Sequence, residues 1–272
     1  MASIASDRVW RKRYERIRPA FDRIELPHPE RLDGRPDQDE EWCEVHVDGH
    51  REHVRFHDYD QIFERPGLYE ALFYDHLECC SPSVVVNLLD DVLADFDIGI
   101  EDLRVLDLGA GNGMDGDELA DRGVERLVGI DLIDEARRAT QRDRPGVYDD
   151  YLVADLTDLE ATKARTLAAH EPNALTSVAA LGYGDIPPEA FGQALDLIAT
   201  PGWLAFNVKA DFLAEHDSTG FARLVRELTR REVIQTWSIR RYQHRRSMTG
   251  DPLYYVAMVA RKVRELPAEL RP

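Results

Sequence analysis

Apolar residues along this chain follow two rhythms. Between residues 104 and 209, short apolar runs alternate with stretches whose apolar positions recur at helical spacing. That pattern reads as strands alternating with helices. Val105, Leu106 and Leu108 make the first run, Arg126-Leu-Val-Gly-Ile130 the second and Tyr151-Leu-Val-Ala154 the third. Ala174 to Leu181 and Gly202 to Lys209 are strands four and five. Helices are predicted over Met114 to Arg122, from Pro187-Pro188 onward, and over about Phe221 to Arg230. Thr157-x-x-Glu160 fits a capping box for the helix after strand three. Two β-rich runs close the pattern, Val233 to Tyr242 and Leu253 to Lys262, joined by Gly250-Asp251-Pro252.

The first hundred residues read differently. Residues 1–26 predict a helix, with Val9, Trp10, Tyr14, Ile17 and Phe21 near helical spacing. Leu26 to Glu41 is rich in Pro, Gly and charge and predicts a loop. Asp48-Gly49 is a favoured hairpin turn. Pairing across it sets Val47 opposite His50, Val45 opposite Glu52 and Cys43 opposite Val54, which makes one face mostly apolar. Tyr59 to Asp95 predicts two helices broken at Ser81-Pro82, with Leu68, Leu72, Phe73 and Leu77 as an apolar stripe. Residues 1–57 thus form an N-terminal helix and hairpin extension, and residues 58–272 one α/β domain.

Charge narrows the function classes. The chain carries 34 basic and 52 acidic side chains, a net charge of −18. That balance argues against general binding to nucleic acid or anionic membrane. Residues 230–272 are the exception, with ten Arg or Lys against four Asp or Glu. Arg240, Arg241, His244, Arg245 and Arg246 sit there, and their simplest reading is a hairpin rim paired to the acidic body. Lysine is scarce, which fits either codon bias or adaptation to salt. No apolar run is long enough for a membrane span, and the first residues lack a signal-peptide core. The three cysteines, Cys43, Cys79 and Cys80, make no metal or disulfide pattern, so a cytoplasmic location is expected. His46, His50, His53 and His57 cluster in sequence. Hairpin pairing places His50 on the opposite face from His46 and His53, which argues against a metal site.

The candidate chemistry lies in Arg104-Val-Leu-Asp-Leu-Gly-Ala-Gly-Asn-Gly113. A strand runs into glycines at alternate positions, Gly109, Gly111 and Gly113, and then into a helix N-terminus. Such a loop lets a ligand approach the backbone. Gly111-x-Gly113-x-x-Gly116 also matches the dinucleotide fingerprint. Asp107, Asp131 and Asp155 close three successive strands. An acid at the end of strand two can accept both ribose hydroxyls. An acid at the end of strand three can accept from an adenine amino group.

These three motifs, VLDLGAGNG, VGIDL and LVADL, resemble those of the class I S-adenosylmethionine (SAM) methyltransferases, over roughly Tyr59 to Lys262. The resemblance implies a Rossmann-like, doubly wound α/β fold. Its seven-stranded, mostly parallel sheet would have order 3-2-1-4-5-7-6, with the last strand antiparallel. It assigns the methionine part of SAM to Asp107 and the loop residues Gly109, Ala110, Gly111 and Gly113. The ribose goes to Asp131 and the adenine to Asp155 and Leu156, and Leu132 and Leu181 are further candidate cofactor contacts. An acid at Asp107 suits a cationic ligand rather than pyrophosphate. His57-Asp58-Tyr59-Asp60 resembles a Tyr-Asp pair found in some members, which makes Tyr59 either a lid residue or a core tyrosine. The segment from Tyr59 to Pro82 and the ending GDP-LYYVAMVARK are similar to the small group that includes the Williams–Beuren-region methyltransferase-like member.

The acceptor should lie near the ends of strands four and five, at Gly182-Tyr183-Gly184-Asp185 and Asn207-Val208-Lys209. Tyr183, Asp185 and His244 are the candidate bases. Strand four lacks the Asn/Asp-Pro-Pro-aromatic motif of nucleic-acid amino methylases, and no Pro-Cys dipeptide occurs. The sequence therefore implies a SAM-dependent methyltransferase with a small-molecule acceptor and S-adenosylhomocysteine as product. No metal and no membrane partner are expected, and oligomerisation stays open. The alternatives are a NAD(P)-dependent oxidoreductase and a SAM-binding protein without catalysis.

Overall fold

A computed structural model describes residues 9–31, 34, 36–181, 186–210, 220–267 and 269. The chain opens with α1 (Val9–Tyr14), β1 (Arg23–Glu25), β2 (Trp42–Val47) and β3 (His50–Arg55). β2 and β3 pair in the expected register, with Val47 opposite His50 and Cys43 opposite Val54. Asp48 and Gly49 both take positive φ, 50° and 79°, as a tight hairpin turn requires. The long N-terminal helix is a correction. Among the described residues only Val9 to Tyr14 is α-helical, and Arg23 to Glu25 is a strand paired with β2. Pro19 interrupts the helical hydrogen bonding, and Ile24 buries itself opposite Val45, where β2 offers backbone partners.

The stretch before the main sheet forms three pieces rather than two helices. These are α2 (Tyr59–Glu64), a π-helical segment Glu70–His76 and α3 (Ser81–Ala94). Pro82 sits in the first turn of α3, where its missing N–H costs nothing. The apolar stripe of Leu68, Leu72, Phe73 and Leu77 is buried with Cys43, Val45 and Val54 of the hairpin.

The main sheet contains β4 (Arg104–Leu108), β5 (Arg126–Asp131), β6 (Asp150–Val153), β7 (Ala174–Leu181), β8 (Gly202–Lys209), β9 (Ile234–Arg246) and β10 (Pro252–Lys262). Its order is β6-β5-β4-β7-β8-β10-β9, the expected 3-2-1-4-5-7-6. The first five are parallel, and β10 runs antiparallel to both β8 and β9. The helices are α4 (Met114–Asp121), α5 (Asp134–Asp143), α6 (Ala161–Ala169), α7 (Pro188–Leu197) and α8 (Phe221–Arg230). Alternate strand residues feed two cores. Leu106, Val128 and Phe206 meet Leu167 of α6 and Phe191 of α7, while Val105, Leu127 and Ala205 meet Leu89 of α3 and Leu119 of α4. Both faces of the parallel strands are thereby covered.

Two local details bear on the site. The expected capping box at Thr157 and Glu160 does not form. Thr157 instead gives its N–H and hydroxyl to Asp155, at 2.8 and 2.7 Å, and α6 begins after Glu160 without a side-chain cap. Near its end β7 bulges: pairing with β8 shifts between Ser177 and Leu181, and Ala179 takes φ 57°. The Ala179 N–H donates to Asn207 Oδ1 at 2.6 Å, which holds the bulge. Among the described residues no helix is long and apolar enough to cross a membrane.

Candidate functional site

A cleft of about 670 Å³ opens at the carboxyl ends of β4, β5, β6 and β7, where open α/β sheets bind ligands. Gly109 and Gly111 form its floor, and Asp131, Leu132, Asp155 and Leu156 form one wall. Tyr59, Phe63 and Tyr69, from α2 and the turn before the π-helix, form another. Gly109 is obligatory on two grounds. Its φ is +74°, and a Cβ there would fall 2.5 Å from that of Ala180.

Asp131 ends β5 with its carboxylate fixed by main-chain donors. Gly111 N–H donates to Oδ2 at 2.9 Å and Ile133 N–H to Oδ1 at 3.2 Å. Both carboxylate oxygens are thereby oriented at the cleft wall, as recognition of a ligand diol requires. Asp155 is held by Thr157, whose hydrogen bonds lower its pKa, so it is ionised at neutral pH. Leu132 is 57 % exposed at the cleft wall, an apolar surface that a flat ring can cover.

Asp107 does not reach the cleft. It is 1 % exposed and accepts from Tyr148 Oη at 2.6 Å and Thr176 Oγ1 at 2.9 Å. Strand alternation explains this: Asp107 shares the face of Val105, which packs under α3 and α4. Desolvation raises its pKa to about 6, and burial raises Asp115 well above the ordinary carboxyl value. The two form a proton-retaining pair behind the loop. Ala110 and Gly113 are also behind the loop, and Leu181 lines a smaller side cavity instead.

Two features were not read from the sequence. Phe63 and Tyr69 line the cleft, although their aromatic character beside Tyr59 was a signal. Behind the loop, Arg144 is fully buried, with Nη1 2.8 Å from Glu70 Oε1 and Nε 2.7 Å from Asp117 Oδ2. Asn112 Nδ2 donates to the same Glu70 oxygen at 2.9 Å, and Asn112 O accepts from Arg144 Nη1 at 3.1 Å. This knot ties the glycine loop to the π-helical segment. Nothing in the local sequence around Arg144 signals it.

At the opposite end, Tyr183 and Asp185 lie outside the described residues. His244 lines the side cavity of about 30 Å³, which shares Tyr59, Tyr69, Ala179 and Ala180 with the cleft. The surrounding arginines are matched within the chain, as the rim reading expects. Arg245 pairs with buried Glu41 at 2.5 Å, Arg246 with Glu78 at 2.8 Å and Arg240 with Asp91 at 3.6 Å. Arg241 lies over Tyr254. The four hairpin histidines diverge. His46 sits 3.3 Å from Glu25, His53 stacks on Trp42 and His57 lines the cleft. Glu25, Glu44 and His46 come close enough to share a cation, but Arg23 and Arg51 already occupy the two acids.

A family model described as a methyltransferase domain matches residues 81–255. No curated protein matches the chain. Similar solved structures include magnesium protoporphyrin IX methyltransferase from Synechocystis with bound SAM, at 15% identity, 66% of this chain, 79% of that one and TM-score 0.46. An S-adenosylmethionine-dependent methyltransferase from Mesorhizobium loti has 16% identity over 63% of this chain and 96% of that one, TM-score 0.45. A candidate RNA methyltransferase from Pyrococcus horikoshii has 14% identity over 67% of this chain and 83% of that one, TM-score 0.48.

Proposed function

The chain belongs to the methyltransferase-domain family, and from that membership we propose that its cleft takes SAM at the Asp131 end and a small-molecule methyl acceptor at the His244 end. It is a SAM-dependent methyltransferase. When bound, SAM supplies an electrophilic methyl group on a sulfonium. The residues present fit that donor. Asp131, locked by Gly111 and Ile133, offers an oriented carboxylate to a ribose diol. Exposed Leu132 offers apolar surface to a purine, and Asp155 an acceptor for its amino group. The locked Asp131 carboxylate is the observation that carries this reading.

Asp107 acts through the loop rather than on the ligand. Its bonds to Tyr148 and Thr176 fix the end of β4, from which the glycines project. Much of the catalysis in a displacement of this kind comes from holding the two reactants in line. The aromatic wall of Tyr59, Phe63 and Tyr69 bounds one side of the cleft. Among the described residues no lysine or arginine lines the cleft, and Arg245 of the adjoining His244 cavity is paired with Glu41. That supports a small acceptor over a nucleic acid, whose phosphates need cationic partners.

Titration calorimetry with S-adenosylhomocysteine and with NAD tests the donor. Saturable binding of the first and none of the second is expected, and the reverse would overturn the assignment. Methyl transfer to members of a small-molecule panel, with none to bulk RNA, is the outcome expected for the acceptor.

A further inference from the structure

The hydrogen bonds behind the side cavity run in one direction. Ala179 N–H donates to Asn207 Oδ1, so the amide of Asn207 is oriented and its Nδ2 is the donor. That nitrogen gives one proton to Tyr242 Oη at 2.6 Å and one to Ser81 Oγ at 3.1 Å. Tyr242 Oη and Ser81 Oγ are 2.6 Å apart, and Ser81 Oγ is 2.6 Å from His244 Nδ1. Among the described residues the Tyr242 hydroxyl has no further acceptor, so its proton goes to Ser81. Ser81 then accepts twice and has one proton left, which it gives to His244 Nδ1. The reverse order would leave the half-buried Tyr242 hydroxyl proton without an acceptor among the described residues. Cys79 Sγ, 3.9 Å from the same nitrogen, is a thiol kept protonated by burial, and at that distance it is a far weaker partner than the Ser81 hydroxyl at 2.6 Å.

A neutral imidazole that accepts at Nδ1 carries its proton on Nε2. Burial, then the nearby Arg245 charge, pushes the His244 pKa well below its ordinary value, so the ring stays neutral at physiological pH. His244 is 5 % exposed and stacks on Tyr255 with centroids 4.0 Å apart, which fixes its plane. With Nδ1 engaged, Nε2 is the ring nitrogen that the cavity receives, and among the described residues it has no partner. A ring in this state cannot serve as a base toward the cavity.

We propose that the side cavity is the anchoring subsite for the methyl acceptor, and that His244 Nε2–H donates a hydrogen bond there to an oxygen of an uncharged aromatic molecule. This rests on the methyltransferase reading above and deepens it. The cavity, about 30 Å³, has room for one water or one group of that size. It is walled by the rings of Phe56, Tyr59, Tyr69, Phe73 and Tyr255, which favour a flat partner. Its one arginine, Arg245, is neutralised by Glu41, so nothing there calls for an anion. The carbonyl of an aryl ketone or the oxygen of a phenol meets these conditions. His244 is then a recognition group, and the proton of the acceptor is lost elsewhere.

The test uses full-length protein, ¹⁵N-labelled at histidine and saturated with S-adenosylhomocysteine. Nitrogen shifts of His244 are expected to report the Nε2–H tautomer. Acetophenone and phenol should move the Nε2–H resonance, whereas ethylbenzene and toluene should not. His244→Phe keeps the stacked ring; it should weaken acetophenone binding three- to tenfold and leave S-adenosylhomocysteine affinity within twofold. Ser81→Ala, read by the same shifts, should release Nδ1 and populate the other tautomer even where the histidine variant folds poorly. An Nδ1–H tautomer in the unaltered protein would overturn the proposal. So would equal responses to probes with and without oxygen, or no response to either oxygen-bearing probe. Loss of S-adenosylhomocysteine binding in the unaltered protein would instead reject the methyltransferase reading itself.

Discussion

At one end of the cleft Asp131 is positioned by the main-chain N–H groups of Gly111 and Ile133. At the other end His244 is positioned by side chains from three distant elements, Ser81 of α3, Asn207 of β8 and Tyr242 of β9. The first arrangement needs only a strand, a glycine turn and the next strand, all within a short stretch of chain. The second needs the whole sheet to be closed and the N-terminal segments to be docked. In the proposed assignment, donor handling is local and backbone-made, whereas acceptor handling is assembled at long range from side chains.

The sharpest way to break that contrast is to remove Arg144, which ties the glycine loop to the π-helical segment. Arg144→Ala leaves Glu70 buried without a counter-charge and Asp117 with Arg13 alone, so stability should fall by about 3–5 kcal/mol in urea titrations. The loss should appear at both ends of the cleft, since Tyr69 precedes the π-helical segment and Asn112 lies in the loop. Asp131→Ala is more selective. Affinity for S-adenosylhomocysteine should drop by about 1.5–3 kcal/mol in calorimetry, with the melting temperature little changed. Unaltered affinity in a folded variant would reject its role.

Asp107 gives a pH signature. Its folded pKa, about 6, lies above the ordinary value, so the protonated form favours the fold. That stabilisation is full below about pH 4 and is lost as pH rises through 6, on the order of 3 kcal/mol. Asp107→Asn should flatten the stability profile across this window while S-adenosylhomocysteine still binds. Leu132→Ala should have the smallest effect. Its exposed side chain contributes about 0.5 kcal/mol or less to stability, yet ligand affinity should fall about threefold if a ring covers it.

The contrast also explains what the sequence disclosed. Most strand limits in the main sheet and the hairpin register follow from periodicity, although β9 runs four residues past the expected Tyr242 to Arg246, and the order 3-2-1-4-5-7-6 follows from the family resemblance carried by contiguous motifs. Asp131 and Asp155 were legible because each ends a strand beside the cleft. Asp107 also lies near a strand end, one residue before Leu108, but pleat parity turns it inward, and Tyr148 and Thr176 satisfy it there. The roles of Ser81, Tyr242 and Arg144 were not legible, because their partners are fixed only by tertiary packing. The overlong N-terminal helix failed for a related reason. Helical spacing at Trp10 and Tyr14 is real, but β2 outcompetes the helix for the backbone of Arg23 to Glu25.

The aromatic rings over the cleft come largely from the segment between Phe56 and Phe73, while the glycine loop and its acids come from residues after 104. These two stretches are separate in the gene and meet through the Glu70–Arg144 pair and the packing of Phe63 against Ala136 and Ala139. Drift in the earlier stretch that keeps those contacts can reshape what enters without disturbing the donor grip. Paralogues of this protein are therefore expected to diverge first in the molecules they modify and last in the nucleoside they consume.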